Sequence, residues 1–173
     1  MSREAVTIGV VSDTHLPRFG RQLPKALVDG LRSARVQRIV HCGDHTSDLA
    51  VTLLEEIAPV DAVAGNNDGP DIVARFDWKT IVRIGRVRIG LVHGDQGPGR
   101  TTPERALRSF SGDSVDVICF GHSHQPYLAH HNGILLLNPG SPTDRRFEKM
   151  FSYAVLKLGA HEPGAEIHRF ATR

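Results

Sequence analysis

The sequence is poor in the features that would take it out of the ordinary globular classes. It has only two cysteines, Cys42 and Cys119, each inside an apolar run. That count and setting do not make a disulfide framework, so both read as buried, reduced thiols acting as small hydrophobes. No stretch of about eighteen apolar residues occurs, which argues against a membrane-spanning helix. The opening residues MSREAVTIGVV lack the charged leader, apolar segment and cleavage site of a secretory signal, and a cytoplasmic setting is expected. No block of five or six like charges appears and the formal net charge is only +2, so neither nucleic acid nor an anionic membrane finds a footprint. Repeats, low-complexity tracts and linkers are missing as well. At 173 residues the chain suits a single core, and residues 1–173 read as a single domain.

What is present is a rhythm. Residues 5–11, AVTIGVV, read as a buried strand, and 22–33 as a helix with Leu23, Ala26, Leu27 and Leu31 near helical spacing. A strand at 36–41, a helix at 47–57 capped by Ser47, and a strand at 60–64 follow. This alternation predicts parallel strands joined by helical crossovers. Residues 79–84 and 87–92 flank Gly85-Arg86 and read as a hairpin. A helix opens at Thr102-Pro103-Glu104 and runs to about Phe110, and 115–120 is another buried strand. Four short, antiparallel-looking strands, YLAHH, GILLLN, SYAVLKL and AEIHRF, finish the chain. The expected fold class is α/β, two packed mixed sheets flanked by helices.

Five apolar runs end in polar groups: VVSDTHL, VHCGDH, AVAGNND, IGLVHGD and VICFGHSH. In open α/β layers, ligands bind beyond the carboxyl ends of the strands. Side chains alternate in extended backbone, so Asp13 and His15 are expected to share a direction, as are His122 and His124. Gly43, Gly65, Gly94 and Gly121 supply what tight turns and close backbone approach need. The candidate ligands are Asp13, His15, Asp44, Asn66, His93, His122 and His124. Carboxylate, imidazole and amide oxygen together suit manganese, iron, zinc, nickel or cobalt and are too rich in nitrogen for calcium. Seven ligands are too many for one tetrahedral ion and about right for two ions sharing a carboxylate. Each motif alone is as well explained by turn chemistry; the conjunction of five is not.

In this order DTH, GD, GNND, HGD and GHSH resemble the calcineurin-like metallophosphoesterase superfamily, and at this length its small, YfcE-type phosphodiesterase branch. The resemblance runs from Asp13 to about Ser141. It implies an αββα sandwich and a dinuclear phosphodiesterase in which a hydroxide shared by the ions attacks a small phosphoester substrate. One ion falls to Asp13, His15, Asp44 and His124, the other to Asp44, Asn66, His93 and His122, with Asp44 bridging. Asp44, Asn66 and His93 are the residues on which turnover is expected to depend. Manganese or nickel is implied first, with iron, zinc or cobalt as other occupants.

Two positions depart from the pattern. Where the family often has a histidine thought to protonate the leaving group, this chain has Asn67, which cannot act as a general acid. Where the branch often carries a histidine after HG, this chain has Asp95. Both are expected at the substrate mouth. His41 and His45 read as packed or hydrated histidines beside Asp44, Trp78 as a core or interface residue, Arg145 and Arg146 as a solvated pair, and LNPGSPTDRR as a turn. The superfamily also includes a retromer coat subunit of this fold with a degraded site, so a metal-binding interaction scaffold is the alternative. A structural-metal protein is a third reading. The sequence is compatible with a homo-oligomer.

Overall fold

The computed structural model describes residues 5–173. The chain opens with β1 (Val6–Val11), α1 (Lys25–Ser33), β2 (Arg38–His41), α2 (Asp48–Glu55), β3 (Val60–Ala62) and α3 (Pro70–Arg75). It continues through β4 (Lys79–Ile84), β5 (Val87–Val92), α4 (Thr102–Ser109), β6 (Val117–Cys119), β7 (Tyr127–His131), β8 (Ile134–Asn138), β9 (Phe151–Leu158) and β10 (Gly164–Phe170). The strands form two five-stranded sheets, ordered β10-β9-β1-β2-β3 and β4-β5-β6-β8-β7. Parallel pairing of β1, β2 and β3 follows the strand–helix rhythm, and β4 with β5 forms the expected hairpin.

The core lies between the sheets, where Ile8, Val10 and Val40 of the first meet Ile89, Leu91, Val117 and Leu137 of the second. Alternate residues face outward. Val11, Ile39 and Val155 pack under Leu27 and Leu31 of α1 and Leu54 of α2. On the opposite surface Ile118 and Leu136 pack with Ala106 of α4 and Phe110. The α/β sandwich of two mixed sheets is therefore present.

The final strands differ from a simple antiparallel run. β7 pairs antiparallel with β8, and β9 with β10, but β8 joins β6 in parallel and β9 crosses back to lie beside β1. The reason is that β9 is apolar on both faces: Ala154, Leu156 and Leu158 enter the inter-sheet core while Tyr153 and Val155 meet the helices. Such a run needs an interior position.

Helix ends follow local chemistry. Pro24 occupies the N-cap of α1, so Leu23 stays outside the helix. Ser47 caps α2 as expected, accepting from Leu49 N–H. Thr101, rather than Thr102, caps α4 by accepting from Glu104 N–H. The short α3, opened by Gly69-Pro70, is an addition to the sequence reading. No helix among the described residues is long and apolar enough to cross a membrane.

Candidate metal centre

Three strands of the first sheet and two of the second end at one place. Asp13 and His15 follow β1, Asp44 follows β2, Asn66 follows β3, His93 follows β5, and His122 and His124 follow β6. Backbone bonds lace these turns together: Asp13 N–H to Gly43 carbonyl at 3.0 Å, His15 N–H to Asp44 carbonyl at 3.1 Å, and Gly121 N–H to His93 carbonyl at 3.0 Å.

The convergence does not come from strand alternation. Asp13, His15, Asp44, His122 and His124 all have positive φ, between 44° and 68°. Left-handed backbone at non-glycine residues costs about 1–3 kcal/mol each and persists only where surroundings enforce it. Each turn coils its side chain back toward the mouth between the sheets. His122 and His124 consequently serve different neighbours instead of one point.

His15, His93 and His124 surround the Oδ1 atom of Asp13. Their Nε2 atoms lie 4.0, 3.9 and 3.3 Å from it. Asp13 is fully buried, and this oxygen has no hydrogen-bond partner; its Oδ2 accepts from Ser12 Oγ at 2.6 Å and His122 N–H at 3.1 Å. Asp44 presents Oδ2 to His15 Nε2 at 3.8 Å and Oδ1 to His93 Nε2 at 3.4 Å, so its two oxygens face the two halves of the cluster. In the second half, Asn66 Oδ1 lies 3.1 Å from both His93 Nε2 and His122 Nδ1.

Backbone carbonyls fix two of the tautomers. His93 Nδ1–H donates to Cys42 carbonyl at 2.7 Å, and His124 Nδ1–H donates to Asp144 carbonyl. Each leaves its Nε2 aimed into the cluster, open to a proton or a metal ion. His15 Nε2 and His124 Nε2 then face each other at 3.3 Å.

The charges of the cluster are strongly coupled. Burial alone would raise the Asp13 carboxyl, but His124 and His93 outweigh it and hold it below the ordinary range. Asp44 is held well below it too, burial being outweighed by His93 and by the two N–H donors of Asn67. Burial would lower His93, yet Asp44 and Asp13 push it up to about 9. His124 is raised against burial by Asp13, whereas burial prevails at His15 and His122 and lowers both.

Imidazole Nε2 atoms facing carboxylates, where a cation can replace the proton, an orphaned buried oxygen and strained turns together fit a divalent cation. Asp13, His15 and His124 form one group with ligand atoms all within 4.8 Å of one another, and Asp13, Asp44 and His93 form another.

The residues around the cluster are now placed. Asn67 directs its side chain at Asp44: its backbone N–H and Nδ2 donate to Asp44 Oδ1 and Oδ2 at 2.8 and 2.7 Å. Asp95 lies beyond His93, where its charge acts on His122. His41 and His45 are buried and stacked at 3.8 Å, with Phe76 on the far side of His45, as packed histidines. Arg145 turns away to Lys149 carbonyl at 2.7 Å, while Arg146 reaches His122 carbonyl at 3.4 Å. Ser141 is buried and donates to Asp13 carbonyl at 2.8 Å, so this turn buttresses the Asp13 loop from beneath. Trp78 is exposed and not part of the core.

Asp68 is the residue that sequence reading passed over. Its carboxylate accepts from the backbone N–H groups of Asp44, Gly65 and Thr46. The available signal was an acid closing GNND, in a motif whose other residues had already drawn the chemical interpretation.

Comparison with known proteins agrees with this architecture. The model of the calcineurin-like phosphoesterase superfamily domain matches residues 6–161. A probable metallophosphoesterase of Methanothermobacter thermautotrophicus is 39% identical over 167 residues, covering 94% of this chain and 91% of that protein. A phosphodiesterase of Methanocaldococcus jannaschii is 27% identical over 147 residues, covering 77% and 82% respectively. Among solved structures, Vps29 of Entamoeba histolytica complexed with zinc superimposes with a TM-score of 0.78 at 23% identity, covering 95% of this chain and 98% of that one. With a family match over most of its length and a relative of this identity, the chain belongs to the calcineurin-like phosphoesterase superfamily.

Proposed function

We propose that this single-domain protein is a dinuclear, metal-dependent phosphodiesterase acting on a small phosphoester. The observation that supports this reading best is Asp13 Oδ1, buried, unpartnered and faced by three imidazole Nε2 atoms within 4.0 Å. Asp13, His15, Asp44 and His124 would hold one divalent transition-metal ion; Asp44, Asn66, His93 and His122 would hold the second. Manganese or nickel is favoured, and iron, zinc or cobalt also suits this donor set. When bound, such ions offset the charge on phosphoryl oxygens and acidify water enough for attack near neutral pH.

The chain's own residues do the rest. The Nδ1–H bonds of His93 and His124 keep both imidazoles in the orientation that ligation needs. Asn67 steadies the Asp44 carboxylate. Arg146 brings a fixed positive charge to the edge of the mouth, where a phosphate arrives. No side-chain nucleophile is required, since phosphoryl transfer relies on positioning and charge. Catalytic dependence therefore falls on Asp44, Asn66 and His93. Cys42 and Cys119 are both free and buried, so the described residues carry no disulfide, and the cytoplasm is the proposed location.

The likeness in fold to Vps29 keeps a scaffold role as the second reading, and the full set of seven candidate ligands favours catalysis over it. The deciding experiment strips the protein of metal, reconstitutes it with one metal at a time, and assays a diester against a monoester. Diester turnover dependent on about two equivalents is the expected result. Uptake well below two equivalents, or full activity in Asp44→Asn, would overturn the proposal.

A further inference from the structure

Trp78 is the chain's sole tryptophan, and it is 42% exposed. It lines a cavity of about 260 Å³ with Lys79, Val92, Asp95, Gln96 and Ser109. Asp95, in its wall, stands two residues beyond the candidate ligand His93, and its charge acts on His122; Lys79, next to Trp78, pairs with Val92, next to His93.

The polar groups of the cavity divide into two kinds. Lys79 Nζ is engaged with Asp113 at 2.6 Å and lies 4.7 Å from the centre of the Phe110 ring. Ser109 Oγ donates to Arg105 carbonyl at 2.8 Å. The side chains of Asp95 and Gln96, by contrast, make no hydrogen bond to any described residue. The cavity thus offers a largely apolar wall with an indole, an amide that both donates and accepts, and a carboxylate that only accepts.

That chemistry narrows the occupant. Asp95 repels a second phosphate and accepts from ring N–H, amino or hydroxyl groups. Gln96 can pair with the edge of a heterocycle, and Trp78 offers a surface for stacking. The volume lies below that of sites enclosing a whole drug-sized ligand, about 300–1,000 Å³, so one group of the substrate enters rather than all of it. We propose that this cavity receives a nucleobase, or a flat heterocycle of that size and polarity, esterified through its sugar to the phosphate held at the metal centre. The inference rests on the phosphodiesterase reading for its orientation, but binding in the cavity can be read separately.

Two esters with a common leaving group test it: thymidine 5′-(4-nitrophenyl phosphate) and methyl 4-nitrophenyl phosphate. The manganese-reconstituted protein should prefer the nucleoside ester. Trp78→Ala should raise its KM about tenfold or more, in line with the strength of base–aromatic stacking, and leave the methyl ester within about twofold. Trp78→Phe should retain most of the preference. Because no other tryptophan is present, the fluorescence of the unaltered protein reports on this cavity alone, and thymidine 5′-monophosphate should quench it where ribose 5-phosphate does not. Quenching without hydrolysis of either ester supports the cavity and removes the phosphodiesterase reading. Equal hydrolysis of both esters with no quenching overturns the cavity proposal and leaves the enzyme standing. An equal loss on both esters in Trp78→Ala also overturns it.

Discussion

Asp68 accepts a hydrogen bond from the backbone N–H of Asp44 at 2.9 Å. It also accepts from Gly65 and Thr46, each at 2.7 Å, so one carboxylate ties the turn that carries Asp44 to the turn that carries Asn66. Charged acceptors make the stronger hydrogen bonds, and groups that orient ligands typically govern about 10–100-fold in metal affinity. Asp68→Ala should therefore weaken manganese uptake by about that factor in a calorimetric titration, with the far-ultraviolet circular dichroism unchanged. Uptake as tight as in the parent would show that these turns keep their shape without the clamp.

Close approach sets a second expectation. A Cβ at Gly65 would stand 2.4 Å from Asp44 Oδ1 and 2.5 Å from its backbone nitrogen, and one at Gly121 would stand 1.9 Å from Ser12 Oγ and 2.6 Å from Asp13 Oδ2. Either alanine must displace a carboxylate of the cluster. Gly65→Ala and Gly121→Ala are predicted to cost about 1–3 kcal/mol, in the range of other overpacked sites, and to lose metal uptake. Gly112→Ala, with nothing within 4 Å, should stay within about 0.5 kcal/mol of the parent. Thermal unfolding with and without manganese compares the three; identical midpoints would mean that the crowding is relieved at no cost.

These two cases mark the boundary of what the sequence discloses. The residues from Asp13 to His124 could be picked out because each follows an apolar strand, and strand ends of an α/β layer share one edge. Their manner of meeting could not. Extended alternation predicts that His122 and His124 act together, but their left-handed backbones send them to Asn66 and to Asp13 respectively. Asp68 was hidden for a related reason: its partners are backbone N–H groups up to 24 residues away, and backbone donors leave no mark on composition. Helix α3 has too few residues to show a period. β9 was legible as a strand, but its place beside β1 depends on which faces remain uncovered after the first sheet has formed.

The cluster also predicts how stability follows pH in protein stripped of metal. His93 is raised from 6.5 to about 9, and His124 is raised as well. Folding favours their protonated forms, so this contribution is complete below about pH 6.5 and is lost as pH climbs through about 9. Burial lowers His15, His41, His45 and His122; folding favours their neutral forms, and that contribution fades as pH falls below 6.5. Asp13 and Asp44, both held below 3.8, add losses only in stronger acid. Stability should peak near pH 6.5, with His93 worth on the order of 3 kcal/mol at most on the alkaline side. Divalent metal competes with the proton for His93, so manganese should flatten that limb. Unfolding midpoints between about pH 5 and 9, in chelator and in manganese, give the comparison. A midpoint still rising at pH 9 in chelator would contradict the charge assignment.

The last prediction concerns the missing acid. Asn67 donates to Asp44 from both its backbone and its side chain, and an amide has no proton to give to a departing alkoxide. General acid catalysis contributes about 10²–10⁴-fold where it operates, so the parent should act well on esters with acidic leaving groups and poorly on alkyl esters. A plot of log kcat/KM against leaving-group pKa should be steep. Asn67→His should flatten it, raising rates for poor leaving groups by about 10-fold or more and leaving 4-nitrophenyl esters nearly unchanged, since a good leaving group needs no proton. The substitution also removes the Nδ2 bond to Asp44, so metal content must be measured alongside. A flat plot in the parent would point to another proton donor at the mouth, with Asp95 the first group to test, since its charge already acts on His122.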